Sequence, residues 1–171
     1  MKRFFTVSIV VGVCVGLFYL MGVVTPRVSS NAARADFETK PDKVYGALAD
    51  VASWGRWHPR FKRAEERPEV KGQPVFLLTD AEGKSVEATV TNHTEPTLFV
   101  LAYEEQDVRY TVRFETRWRG DGAMLLMTEQ SDARSAWVRA RHLFQSNQDN
   151  VNGTLVALGT LLGETVVPKD R

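Results

Sequence analysis

Three histidines are the first candidates for chemistry in this chain, because imidazole titrates near neutral pH and also binds metal ions. They are His58, His93 and His142, and they are widely separated in the sequence. No H-x-x-x-H pair is present, and the only cysteine, Cys14, lies in an apolar run. The spacing therefore does not indicate a zinc site, and no metal or other cofactor is expected.

His58 is the histidine with the most suggestive surroundings, because it stands between Trp57 and Pro59. It could act as a general acid or base; the alternative is a partly exposed loop histidine beside a packing tryptophan. His93 precedes a turn signal and predicts a loop position. His142 falls on the side of the last predicted helix that faces away from its apolar stripe, and it predicts a surface position.

Other catalytic and nucleotide-binding patterns are missing from the sequence. There is no G-x-S-x-G motif and no glycine-rich phosphate loop after a strand. The chain has 22 basic and 21 acidic residues, and 20 basic residues remain once Lys2 and Arg3 are set aside. This balance argues against a nucleic-acid-binding protein, which usually carries a clear basic excess.

Two amides interrupt the apolar stripe of the last predicted helix, 135–163. The stripe consists of Trp137, Ala140, Phe144, Val151, Leu155, Leu158 and Leu162. Asn147 and Gln148 flank its centre, and buried amides need hydrogen-bond partners. Either they face a cavity with a ligand or water, or one bonds a strand-edge carbonyl while the other is exposed. Tyr45, Tyr103 and Tyr110 could add polar groups to such a cavity or could simply be core residues.

The remaining elements are predicted from periodicity and turn signals. A weak strand is expected over 34–39, a helix from Pro41, and a short helix over 51–56 that Pro59 stops. Strands are then predicted over 61–66, 74–79, 85–93, 97–103, 108–118 and 123–130.

The strand 108–118 alternates most clearly between an apolar and a charged face. Its apolar face consists of Val108, Tyr110, Val112, Phe114, Thr116 and Trp118. Its other face consists of Arg109, Thr111, Arg113, Glu115 and Arg117. This pattern predicts an inner sheet face with few ionisable groups and a solvated outer face.

Two motifs in this order of elements resemble the START-like, or SRPBCC, helix-grip superfamily of polyketide cyclase/dehydrase and lipid-transfer proteins. They are Pro41-Asp42-Lys43-Val44-Tyr45 with Leu48-Ala49-Asp50, and Trp54-Gly55-Arg56-Trp57-His58-Pro59. The resemblance covers about residues 32–163. It implies an α+β fold in which a bent antiparallel sheet of about seven strands wraps around a long C-terminal helix. A deep, largely apolar cavity is then expected between the sheet and this helix. It also implies that His58 approaches the mouth of that cavity.

A continuous apolar run, Phe4–Val24, opens the chain and is long enough to cross a bilayer as a helix. The predicted organisation is a membrane anchor over 1–25, a tether over 26–33, the START-like domain over 34–165 and a tail over 166–171. Lys2 and Arg3 before the run predict a domain outside the cytoplasm. The alternative is cleavage near Ala33-Arg34-Ala35, which would give a secreted or periplasmic protein.

These observations predict a membrane-tethered module that binds or carries a hydrophobic small molecule or lipid. The alternatives are a cyclase or dehydratase that uses His58 or a tyrosine as acid or base, and an interaction domain with a filled cavity. No protein partner is indicated. The candidate ligand-binding residues are Trp57, His58, Tyr103, Tyr110, Val112, Phe114, Phe144, Asn147 and Gln148.

Overall fold

The computed structural model describes residues 2–142 and 148–170, with side chains described for 13–141 and 148–170. The helices are α1 (Lys2–Val24), α2 (Pro41–Ala49), α3 (Trp54–Trp57), α4 (Ala136–His142) and α5 (Gln148–Leu161), with a 3₁₀ turn at Val51–Ser53. The strands are β1 (Val28–Phe37), β2 (Phe61–Val70), β3 (Gln73–Asp80), β4 (Ser85–Thr94), β5 (Leu98–Glu105), β6 (Val108–Arg119), β7 (Gly122–Ala133) and β8 (Lys169–Asp170).

The eight described strands form one antiparallel sheet in the order β2-β3-β4-β5-β6-β7-β1-β8. Helix α5 packs on β1 and β7, and α2 packs on β5, β6 and β7. The α+β architecture and the antiparallel sheet predicted from the sequence are therefore confirmed.

Local sequence explains the elements that frame the inner face. Pro41 starts α2, where a missing N–H costs nothing, and Val44, Tyr45 and Leu48 are buried on one side of the helix. On β6 the inward side chains from Val108 to Thr116 are buried, as the alternation predicts. Trp118, predicted on the same face, is 63% exposed because β6 extends beyond the core at that end.

Two predicted boundaries are wrong. Residues 28–33, predicted as a tether, are the first half of β1 and pair with β7 from Val28 onward. The long helix predicted over 135–163 is described as two helices, α4 and α5, and its residues 143–147 lie outside the described residues. Phe144 and Asn147 therefore have no described environment.

Trp137 packs against α1, whereas the predicted apolar stripe places it on the face toward the sheet. Its ring lies 5.6 Å from the rings of both Phe18 and Tyr19, and it remains 46% exposed. Arg139 Nε donates to the carbonyl oxygen of Gly22 at 2.8 Å. Helix α4 is thus held against the end of α1.

Within the described residues, no helix combines the length and the hydropathy that a membrane crossing requires. The transmembrane helix predicted from the sequence is therefore not supported by the structure.

Candidate functional site

An aromatic cluster fills the part of the core beneath α3. The ring of Trp54 lies within 5.0–6.4 Å of the rings of Trp57, His58, Phe99 and Phe114. Trp54 is 1% exposed, and its indole N–H donates to the carbonyl of Leu48 at 3.0 Å. This cluster fixes the short turn that leads from α3 into β2.

His58 is part of this packing and does not line an open mouth. It is 5% exposed and stacks on Trp54 with the two ring planes 11° apart. Its Nδ1 accepts the backbone N–H groups of Arg60 at 3.2 Å and Phe61 at 3.3 Å. The predicted partly exposed position of His58 is therefore wrong. The ring is buried because it, and not solvent, accepts hydrogen bonds from two backbone N–H groups of the turn.

Burial, together with the positive charges of Arg60 and Lys62, lowers the pKa of His58 to about 3. The ring is therefore neutral at physiological pH. A general base works best with a pKa near the operating pH and with a free lone pair. His58 has neither property, so its geometry identifies it as the residue that positions the backbone of Arg60.

Arg60 is the cation at this end of the inner face. Its Nη1 donates to the Tyr103 hydroxyl at 2.8 Å, and its Nη2 forms an ion pair with Glu105. The guanidinium lies 5.2, 5.4 and 5.8 Å from the ring centres of Phe61, Tyr103 and Tyr110. Burial opposes its charge, but attraction to Tyr103 and Glu105 raises the pKa of Arg60 overall.

Tyr103 and Tyr110 form a stacked pair across β5 and β6. They are register partners, and their rings lie 5.0 Å apart with planes 18° from parallel. Burial raises the pKa of both hydroxyls, and the negative charge of Glu129 raises them further. Both side chains therefore remain protonated phenols at physiological pH.

Glu129 brings a carboxylate to the inner face. It lies on β7 opposite Val112, is 2% exposed, and its Oε2 accepts the side-chain N–H of Asn150 from α5 at 2.8 Å. The charge of Glu129 contributes to the raised pKa of Arg60 as well as that of Tyr103. The expectation of an inner face with few ionisable groups is therefore wrong at this end of the sheet.

We call Arg60, Tyr103, Glu105, Tyr110 and Glu129 the polar cluster. It joins the turn after α3 to the ends of β5, β6 and β7, and the rest of the inner face is largely apolar. Such an arrangement can hold the polar end of a molecule whose remaining surface is apolar.

The predicted ligand-binding residues are only partly brought together. Tyr103 and Tyr110 belong to the polar cluster, and Val112 lies next along β6, facing Glu129. Phe114 belongs to the aromatic cluster. The indole N–H of Trp57 is buried without a hydrogen-bond acceptor among the described residues.

Gln148 agrees with the second alternative predicted for the two helix amides, in which one amide bonds a carbonyl of a strand. Its Nε2 lies 2.9 Å from an Asp170 carboxylate oxygen, 3.4 Å from the carbonyl of Ala32 on β1 and 3.4 Å from Asn152 Oδ1. These contacts place Gln148 beside β1 and β8. Among the other residues considered, Tyr45 packs edge-on against Phe99 in the core, and His93 is exposed on β4.

Four residues of this region are not predicted from the sequence: Arg60, Glu105, Glu129 and Asn150. For Glu129 a signal was available, because Ala123, Leu125, Met127 and Glu129 share one face of a strand by alternation. No comparable signal marks Arg60, whose position depends on how the Trp-His-Pro turn folds back onto β5.

The fold and the cluster define an α+β helix-grip domain with polar groups on an otherwise apolar inner face. Residues 30–159 match the family described as polyketide cyclase / dehydrase and lipid transport. Because the match covers most of the chain, this protein belongs to that family. The resemblance to the START-like superfamily noted in the sequence is thereby confirmed.

Solved structures with low sequence identity share the fold. The ZhuI aromatase/cyclase from Streptomyces sp. R1128 has 16% identity and a TM-score of 0.64, covering 80% of this chain and 94% of its own. Norcoclaurine synthase from Thalictrum flavum has 11% identity and a TM-score of 0.63, covering 85% and 91%. The di-domain aromatase/cyclase StfQ of the steffimycin pathway has 12% identity and a TM-score of 0.62; the match covers 78% of this chain and 50% of StfQ.

One curated protein is also similar, the tyrosine-protein kinase-like otk of Drosophila mojavensis. The two are 30% identical over an alignment of 129 positions, and the match covers 62% of this chain. The match spans only 12% of the length of that protein.

Proposed function

We propose that this protein binds a hydrophobic small molecule or lipid on the inner face of the sheet, with the polar end of the ligand at the polar cluster. The observation that carries this proposal is the presence of Arg60 and Glu129 on a face that is otherwise apolar.

Stability alone gives little reason for such a cluster. Taking a charge out of water costs several kcal/mol. Glu129 is buried, and the side chains of Arg60 and Glu105 are only 25% and 20% exposed, so all three lose much of their hydration. Ionisable groups with perturbed pKa values inside a cleft are instead common at functional sites. The raised pKa values of Tyr103 and Tyr110 fit this pattern.

The family supports the ligand class. Its description includes both polyketide cyclases and lipid transport, and two of the structural neighbours are an aromatase/cyclase and a synthase by name. We favour binding over catalysis because His58, the candidate acid or base, is neutral and its Nδ1 already accepts two backbone N–H groups.

A cyclase or dehydratase reaction is the second candidate, and the Arg60–Tyr103 pair favours it. A phenol that accepts a hydrogen bond from a guanidinium is a better hydrogen-bond donor to a ligand carbonyl. The pair would then stabilise negative charge that develops on that oxygen. It would not transfer a proton readily, because the pKa of Tyr103 is strongly raised.

We further propose that α1 tethers the domain to a membrane, where hydrophobic ligands are concentrated. In support, α1 is helical from Lys2 to Val24, and Val13, Leu17, Leu20 and Val24 are all exposed. Lys2 and Arg3 favour an extracytoplasmic domain, since basic residues flanking a span tend to stay in the cytoplasm. A topology reporter fused after Arg171 should be active only outside the cytoplasm, and cytoplasmic activity would refute this orientation.

Binding can be tested with an uncharged apolar fluorophore that carries one carbonyl group. We expect saturable 1:1 binding by the wild-type protein. Arg60→Met should weaken it about tenfold or more, because hydrogen bonds from charged groups contribute about 1.5–3 kcal/mol.

Arg113→Met is the matched control. Arg113 also pairs with a glutamate, Glu115, at 2.7 Å, but on the outer face of β6. The control should bind the fluorophore as the wild type does, and circular dichroism should confirm that both variants are folded. No binding by the wild type, or equal losses in the two variants, would contradict the proposal.

A further inference from the structure

We propose that the ligand has an uncharged head that carries a hydroxyl group, so that the protein selects hydrophobic alcohols over fatty acids and fatty amines. This inference rests on the proposed function and specifies the class of ligand for the same site.

The charges of the cluster disfavour an anionic head. One guanidinium, Arg60, faces two carboxylates, Glu105 and Glu129. With both glutamates as carboxylates, the cluster has one positive and two negative charges, so it has no positive charge to spare for an anionic head. The other cation that acts on Tyr110 is Arg141, which is exposed and hydrogen-bonded to Gln106.

A cationic head is disfavoured for a different reason. The aromatic faces that would attract an ammonium group already lie against the guanidinium of Arg60, which is 5.2–5.8 Å from the rings of Phe61, Tyr103 and Tyr110. A second cation at these rings would be repelled by the charge of Arg60, and Glu105 is already engaged in an ion pair. An ammonium group at the buried Glu129 would have to give up its hydration shell, a cost that an uncharged hydroxyl largely avoids.

A hydroxyl group matches the chemistry that remains. It can accept a hydrogen bond from a tyrosine hydroxyl and donate one to a carboxylate oxygen, and the cluster contains both kinds of group in Tyr103, Tyr110 and Glu129. An uncharged head also avoids the cost of stripping water from an ion on entry.

Four ligands with the same ten-carbon chain test this inference at neutral pH: decan-1-ol, its methyl ether, decanoate and decylamine. We expect calorimetric titration of the full chain to show decan-1-ol binding at least tenfold more tightly than decanoate or decylamine. The methyl ether stays uncharged but lacks the donor, and it should bind several-fold more weakly than the alcohol.

A second measurement separates recognition by the cluster from simple differences in ligand hydrophobicity. Glu129→Gln removes a negative charge from the cluster and should reduce the preference for decan-1-ol over decanoate at least threefold. Glu115→Gln makes the same change on the outer face and should leave that preference unchanged.

The outcomes are distinct for the two proposals. If decanoate or decylamine binds as tightly as the alcohol, if the ether equals the alcohol, or if Glu129→Gln and Glu115→Gln behave alike, the head-group inference is overturned while the binding function stands. If none of the four ligands binds, the proposed function itself fails.

Discussion

Acidification should destabilise this protein through His58, and the effect can be worked out from its environment. The neutral ring accepts two backbone N–H groups at Arg60 and Phe61. A proton on Nδ1 would remove that acceptor and place a positive charge beside Arg60. The native state therefore binds this proton only at very low pH, with a pKa of about 3, whereas the unfolded chain binds it with the ordinary value of 6.5.

The sign and the pH window follow from these two values. Between pH 6.5 and pH 3 the unfolded state holds more protons on this residue than the native state does, so stability falls as the pH falls. Two pH units below the unfolded pKa, near pH 4.5, the loss due to His58 is about 2.7 kcal/mol. Because the native pKa lies well below pH 4.5, the loss at that pH is set almost entirely by the unfolded value.

Urea unfolding at pH 8 and pH 4.5, monitored by tryptophan fluorescence, measures this loss. The control is His58→Asn, whose side-chain oxygen can take the place of Nδ1 as an acceptor but does not titrate. Carboxylates contribute equally in the two proteins, so the wild type should lose about 2.7 kcal/mol more than the variant. A difference below about 1 kcal/mol would show that native His58 accepts a proton readily, and the assignment as a neutral positioning residue would be wrong.

Three further outcomes are expected. Val44→Ala, in the tightly packed α2, should lower the free energy of unfolding by about 2 kcal/mol, and Val112→Ala, beside the polar cluster, should lower it less. Only Val112→Ala should change ligand affinity in a titration. Gly22→Val should lower the thermal midpoint by about 3 °C or more, because a Cβ there would lie 1.8 Å from an α4 backbone oxygen, whereas Gly16→Val has open space and should not. Glu164→Gln should cost about 1 kcal/mol in urea unfolding, because the carboxylate accepts two backbone N–H groups in the turn after β1; equal stability would contradict that contribution.

Much of the fold could be predicted from the sequence, because local signals determine it. Pro41 and the spacing of Val44, Tyr45 and Leu48 indicate α2, and the alternation over Val108–Thr116 indicates β6 and its inner face. The first half of β1 could not be predicted, because Val28-Ser29-Ser30-Asn31 has neither alternation nor strong strand propensity. It becomes a strand by pairing with β7, which is a tertiary effect.

The site was less predictable, because it depends on contacts between distant residues. Tyr103 and Tyr110 were identified as possible polar groups, but their stacking follows from the β5–β6 register. Arg60 looks like an ordinary loop arginine in the sequence, and only the turn held by His58 brings it to Tyr103 and Glu105. His58 itself attracted a catalytic interpretation because its burial and its two amide partners are not visible in the sequence.

Native mass spectrometry of the purified full chain tests the central claim most directly. We predict that part of the protein carries a bound hydrophobic molecule that is uncharged when released, and that Arg60→Met reduces the bound fraction while Arg113→Met does not. A protein that shows only its own mass, both as purified and after incubation with decan-1-ol, would contradict the account of the inner face as a ligand-binding site.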